Sequence, residues 1–319
     1  EANDIALRMA EAMTGKRGII ATDATYHGNT TLVSHLSKSN VPEVGYGLGE
    51  YFRHVEAPDS YRIDDPDGQR FAAKVQEAID ELEASGIGFA TLIVCPLFLN
   101  EGFPMQAEGW LKPAADAVRR AGGILICDEV QSGFGRSGSH FWAYQKQGVI
   151  PDVVVMGKPM GNGHPVAGLV TSDEILSRFR NSFRYFNTFG GNPVSCAAAM
   201  AVLEEIEAQQ LQANAAKIGK LAFERLTNLA DKYDVIGDVR QAGMVFGCEY
   251  VLDRATKEPA VAYADRIINA MRHDGIILSK LGRHKNTLKI RPPMPFDEDN
   301  LDQLITTLDK VMAETPIAA

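Results

Sequence analysis

Two residues at the ends of apolar runs could do chemistry together. "ILICD" (124–128) ends in Asp128, and "DVVVMGK" (152–158) delivers Lys158 thirty residues later. Both runs are continuously apolar, as strands buried on both faces are, and in a parallel sheet the carboxyl ends of strands share one edge, where ligands bind. An acid and a lysine at that edge suit pyridoxal phosphate. The lysine amine condenses with the cofactor's carbonyl, and the carboxylate keeps the ring nitrogen protonated so that the ring accepts electrons. Taken alone, such a pair is more often a solvated ion pair.

Two other chemistries compete for the same stretch, "ILICDEVQSGFGRSG" (124–138). Four apolar residues followed by Asp-Glu imitate the magnesium-binding strand of a nucleotide hydrolase, but that needs G-x-x-x-x-G-K-[ST] upstream. Gly15-Lys16 is followed by Arg17 and Gly157-Lys158 by Pro159, each without the earlier glycine. "GFGRSG" (133–138) matches a dinucleotide-binding fingerprint in form. There, however, the first glycine must close the strand and an acid must end the next one. Here "DEVQS" intervenes, and Asp152 precedes its strand.

The elements that would position Asp128 and Lys158 alternate in kind. "RGIIAT" (17–22), "FATLIVC" (89–95), "GILIC" (123–127), "DVVVMG" (152–157) and "VAGLVTS" (166–172) read as strands, with helices over 70–85 and 110–122 between them. That pattern is an α/β domain with a mostly parallel sheet, buried on both faces. From 193 to about 233 one or two long helices lead to a second unit. It has a half-buried antiparallel strand "GMVFGCEYV" (243–251), a helix stopped by Gly275, short strands "GIILS" and "TLKIR", and a last helix capped by Asp297. The expected division is a large domain over 1–210 and a smaller α+β domain over 211–319.

Bulk properties narrow the function. The chain has 319 residues, a net charge of −9 and a pI near 5.3, without a basic run, which excludes a nucleic-acid binder. Its longest apolar stretch, 89–99, contains Pro96 and falls short of the ~20 residues of a membrane helix. Cys95, Cys127, Cys196 and Cys248 are scattered and no metal spacing occurs, so reduced thiols in a cytoplasmic protein without a metal site are expected.

Several blocks carry a wider resemblance. "SGFGRSG" after "DEVQ", then "PDVVVMGKPMGNGHPVAG", "FNTFGGNPVSCAAAMAVL", "VRQAGMVFGCEYV" and "LKIRPP", with "EANDIALRMA" and "YHGNT" upstream, resemble the class III pyridoxal-phosphate-dependent aminotransferases in order and separation. The resemblance runs from Glu1 to about Pro293 and implies fold type I. It makes Lys158 the Schiff-base lysine and proton shuttle, and Asp128 the partner of the ring nitrogen. Gln131 would hydrogen-bond the phenolic oxygen, Val130 would pack on one ring face and Tyr26 on the other, with His27 beside it under a weaker claim. Thr188 would reach the cofactor phosphate of a neighbouring subunit, which implies a homodimer with a shared site.

Departures from the pattern bear on substrate. Many members have Glu-Pro where this chain has Cys95-Pro96, and in ornithine- and 4-aminobutyrate-type enzymes that glutamate engages an arginine near the last "PP". This chain offers Lys289 and Arg291 there as substrate-binding candidates, with Arg283 further upstream. Its wording is close to the alanine-glyoxylate-type aminotransferases and phosphorylated-amine lyases. The family's Gly-Ser or Gly-Thr phosphate-gripping step precedes E-A-N, so the expectation for a chain opening at Glu1 is a truncated front and a more open site. The expected activity is transfer of an amino group from a primary amine or amino acid to a keto acid such as pyruvate. A phospho-lyase acting on a phosphorylated amine is one alternative, and a non-catalytic protein of the same fold is the other.

Overall fold

The computed structural model describes residues 1–37 and 49–317. The first part of the chain runs α1 Ala2–Thr14, β1 Gly18–Thr22, α2 Thr31–Ser34, β2 Phe52–Val55, α3 Gln69–Ala84, β3 Phe89–Val94, α4 Lys112–Arg120, β4 Ile124–Asp128, α5 Ala143–Lys146, β5 Val153–Met156, β6 Gly168–Thr171 and α6 Asp173–Ser182. The second runs α7 Pro193–Ala208, α8 Leu211–Lys232, β7 Ile236–Gln241, β8 Phe246–Tyr250, α9 Val261–His273, β9 Ser279–Leu281, β10 Thr287–Ile290 and α10 Glu298–Glu314. Among the described residues no helix is long and apolar enough to cross a membrane.

The first sheet has the order β2-β1-β3-β4-β5-β6, parallel except for β6, which returns antiparallel beside β5. Successive side chains on a strand face opposite ways, so an apolar strand must be covered twice. Leu92, Val94, Leu125 and Cys127 pack with α3 and α4, whereas Ile93, Ile124 and Ile126 pack with α1 and α6. The result is a three-layer α/β unit with the expected buried strands. The exceptions are β5, whose Val154 and Met156 are only half-buried, and β6, an edge strand whose Val170 is 60% exposed. In the β4–β5 register Asp128 lies opposite Val155, which brings the two strand ends together and sets Lys158 just beyond them.

The second sheet, β7-β8-β10-β9, is antiparallel and shares a core with α8, α9 and α10. Two expectations change here. The strand read as half-buried is buried along all of β8, because the carboxylate of Glu249 on its polar face meets Arg240, Arg62 and Asn286. The run 275–278 is not a strand. Gly275 leaves α9 at a positive φ of 86°, Ile276 N bonds back to Met271 O, and pairing begins only at Ser279. The strands β2 and β7, too short or too polar to stand out in the sequence, complete the two sheets.

Candidate active site

Asp128, the last residue of β4, is 5% exposed and holds three donors. Its Oδ1 accepts from Val130 N at 2.9 Å, and its Oδ2 meets Asn3 Nδ2 at 2.9 Å and His27 Nδ1 at 2.7 Å. His27 is fully buried and its Nε2 lies 2.9 Å from Thr25 Oγ1, so its ring is held from both sides. Asn3, near the start of α1, also donates to His27 O at 2.7 Å, while its own Oδ1 is buried without a partner. His27, given a weak claim from sequence, is thus in direct contact with Asp128. Asn3 was not singled out at all, although "EAN" was among the matching blocks.

Lys158 follows β5 and opens a single 3-10 turn, Lys158–Gly161. Its φ is +32°, a region that costs a non-glycine residue on the order of 1 kcal/mol or more. The turn is pinned from outside, since His164 Nε2 lies 2.9 Å from Ser195 Oγ, the buried residue at the start of α7. Lys158 can be reached from solvent, yet the cleft wall displaces enough water to lower its pKa. Arg291 adds to this and Asp128 opposes it.

Lys158 and Asp128 open on the same cavity of about 270 Å³, lined also by Asn3, Tyr26, His27, Cys95, Val130 and Gln131. Val130 and Tyr26 thus border the space beside the pair. A larger cavity of about 690 Å³ shares Val130, Gln131 and Lys158 and extends along α7 to Arg136 and Arg291. Gln131 Oε1 accepts from Lys289 Nζ at 3.0 Å and from Arg291 Nη1. Burial, together with Arg291 and Lys158, pushes the Lys289 ammonium down to about 8, with Cys95 and Glu101 opposing the shift. Lys289 is in the lining of neither of these cavities. Thr188 lies outside both linings, in an exposed turn between Phe186 and Phe189.

An ionised carboxylate offers about four acceptor positions. Three on Asp128 are filled, and one is left for a further donor such as a protonated ring nitrogen. A primary amine and an apolar wall at Val130 face the same space, so the residues present fit pyridoxal phosphate.

Comparison with known proteins agrees. The family profile "Aminotransferase class-III" matches residues 1–312.

The chain belongs to the class III aminotransferases.

This family is pyridoxal-phosphate-dependent and of fold type I. An alanine-glyoxylate aminotransferase 2-like protein of Drosophila melanogaster is 40% identical over 317 residues, which cover 96% of this chain and 64% of the relative. An ethanolamine-phosphate phospho-lyase homologue of Caenorhabditis elegans is 36% identical over 330 residues, covering 98% of this chain and 71% of that protein. Among solved structures, an Arthrobacter phospholyase in complex with phosphoethanolamine superposes with a TM-score of 0.92 at 40% identity, over 99% of this chain and 75% of that one. The chain therefore spans less than two thirds of the length of the Drosophila relative.

Proposed function

We propose that this class III chain is an aminotransferase that moves an amino group from a primary amine or amino acid to a keto acid such as pyruvate. The observation that carries the reading is the opening of Lys158 and Asp128 on one cavity, with a single acceptor position of Asp128 left free. When bound, pyridoxal phosphate supplies a carbonyl that condenses with amines and a ring that accepts electrons.

The chain's own residues then divide the work. Asp128 would hold a proton on the ring nitrogen, and His27, Asn3 and the Val130 N–H hold Asp128. Val130 and Tyr26 would flank the ring, and Gln131 would donate to its phenolic oxygen. Lys158 Nζ would move a proton at the substrate carbon. Its lowered pKa favours the neutral amine that this step requires, and such proton transfer contributes about 10² to 10⁴ in rate. Arg291, exposed on the wall of the larger cavity, suits a substrate anion, with Lys289 beside it on Gln131.

A homodimer with Thr188 contributed to the partner's site is supported by α7. That helix is apolar nearly all round, yet Val194, Met200 and Leu203 are exposed, as are Phe186 and Phe189 beside Thr188. A helix apolar on every face calls for cover. The division into 1–210 and 211–319 is supported by a core cluster drawn wholly from Ala215 to Met312 and by the break between α7 and α8 at Gln210. Four free cysteines suit a reducing compartment such as the cytoplasm.

The second reading, elimination of phosphate from a phosphorylated amine, is favoured by the likeness to the Arthrobacter phospholyase. One experiment separates them: the cofactor-loaded protein is given a panel of amines and phosphorylated amines with pyruvate, and alanine and inorganic phosphate are both measured. Alanine supports transfer, phosphate without alanine supports the lyase, and neither product overturns both.

A further inference from the structure

Gln131 and Asn100 are primary amides, whose oxygen and nitrogen ends are told apart only by their neighbours. Lysine and arginine can only donate, and a backbone carbonyl can only accept. Lys289 Nζ and Arg291 Nη1 both meet one end of the Gln131 amide, which must therefore be its oxygen. Gln131 Nε2 then donates to the Asn100 side chain at 3.4 Å, and that end of Asn100 must be its oxygen. Asn100 Nδ2 is left to donate to Tyr26 O at 3.3 Å. With obligate donors at one end and an obligate acceptor at the other, the polarity of the whole row is determined.

Both amide contacts are longer than the usual span for N–H···O hydrogen bonds, so neither is strong by itself. Their effect is orientational. Gln131 Nε2 carries two hydrogens, and Asn100 takes one, which leaves the other for the cavity that Gln131 lines with Lys158 and Asp128. The backbone oxygen of Asn100 accepts from Gly282 N at 3.1 Å whatever its side chain, so the loop is anchored independently of the amide.

We infer that Asn100 is a positioning residue, holding the Gln131 amide so that an N–H rather than a lone pair faces the cavity beside Lys158. This rests on the reading of Gln131 as donor to the cofactor's phenolic oxygen. An N–H there attracts the oxygen, whereas a rotated amide would repel it. Asn100 itself touches no reacting atom.

The test is a pH titration of the visible absorption of the cofactor-loaded protein, which reports charge at the phenolic oxygen and the Lys158 linkage. Four proteins are compared: unaltered, Asn100→Leu, Gln131→Ala, and the double variant. Neither substitution changes the formal charge. Asn100→Leu is expected to shift the midpoint by up to about one pH unit, in the direction of Gln131→Ala. The double variant should match Gln131→Ala alone, because the two residues act as one unit. An unmoved midpoint in Asn100→Leu overturns the inference, as does an equal shift with Gln131 already removed. Asn100→Ser, smaller and still an acceptor, should keep most of the original midpoint, and Asn100→Ala, which removes the acceptor with less bulk, takes the place of the leucine variant if that one does not fold. A chain that acquires no visible band on loading overturns the cofactor reading itself, a failure recognisable before any variant is made.

Discussion

Nδ1 of His27 lies 2.7 Å from Oδ2 of Asp128, with the His27 side chain fully buried and that of Asp128 7% exposed. Thr25 on the far nitrogen keeps the ring from turning away. A hydrogen bond to a buried charged group is worth about 1.5–3 kcal/mol. His27→Ala should therefore weaken cofactor binding by about tenfold or more, read from titration of the cofactor-free protein with pyridoxal phosphate. Affinity unchanged within twofold would leave His27 with a packing role only.

Asp128→Asn should take up cofactor and yet turn over at least about 100-fold more slowly. The amide preserves the shape but carries no charge to hold a proton on the ring nitrogen. Single-turnover kinetics with a donor amine measure this directly, and a rate near that of the unaltered protein would remove Asp128 from its role.

Borohydride reduction of the loaded protein, followed by peptide mapping, should find the cofactor attached at Lys158. In Lys158→Ala no covalent product should form. Attachment at another lysine would mean that the strand-end position after β5 had been misread.

Glu129, next to Asp128 and 0% exposed, has its carboxyl raised from an ordinary 4.5 to about 7 by burial, despite bonds from Ser132 Oγ at 2.5 Å and Tyr144 N at 2.8 Å. The unfolded chain releases this proton near 4.5, while the folded chain keeps it until about 7. The group's contribution to stability is thus full below 4.5 and is lost as pH rises through 7. Glu129→Gln should remove that loss, since its amide can still accept from Tyr144 N and donate to Ser132. Thermal midpoints of the two proteins should diverge in favour of the variant between pH 5 and about 7.5. Parallel curves over this window would contradict the raised carboxyl.

Arg240, 2% exposed on β7, donates to Asp238 at 2.6 Å, to Gly102 O at 2.8 Å and to Glu249. Gly102 sits at a φ of +113°, and a Cβ there would lie 3.0 Å from Arg240 Nη1. The contact ties the second sheet to the loop after β3. Removing one partner of a buried pair typically costs about 3–5 kcal/mol, so Arg240→Met should shift urea unfolding by that order. Arg240→Met with Glu249→Met should recover part of the loss, and a single-variant cost under about 1 kcal/mol would show that the network carries little.

The sequence by itself determined most of the elements, β2 and β7 excepted, and which residues stand at the strand ends. Continuous apolar runs between amphipathic helices specify a buried parallel sheet, and a residue at the end of such a run goes to the ligand edge, so Asp128 and Lys158 were legible as a pair. The family blocks extended this to Tyr26, Val130 and Gln131, which border the same cavity. Other relationships were decided only by the tertiary structure. Asn3 reaches Asp128 across 125 residues, and Lys289 reaches Gln131 across 158. Asn100 has no periodic signal because it lies in a loop, and β8 read as half-buried because Arg62, which covers Glu249, lies far upstream. Periodicity reports which face of an element is apolar, and that is a local property. Which polar side chains meet depends on how elements distant in sequence pack, and the Gln131 amide is met at its oxygen by donors from the second sheet and at its nitrogen by Asn100 from the loop after β3.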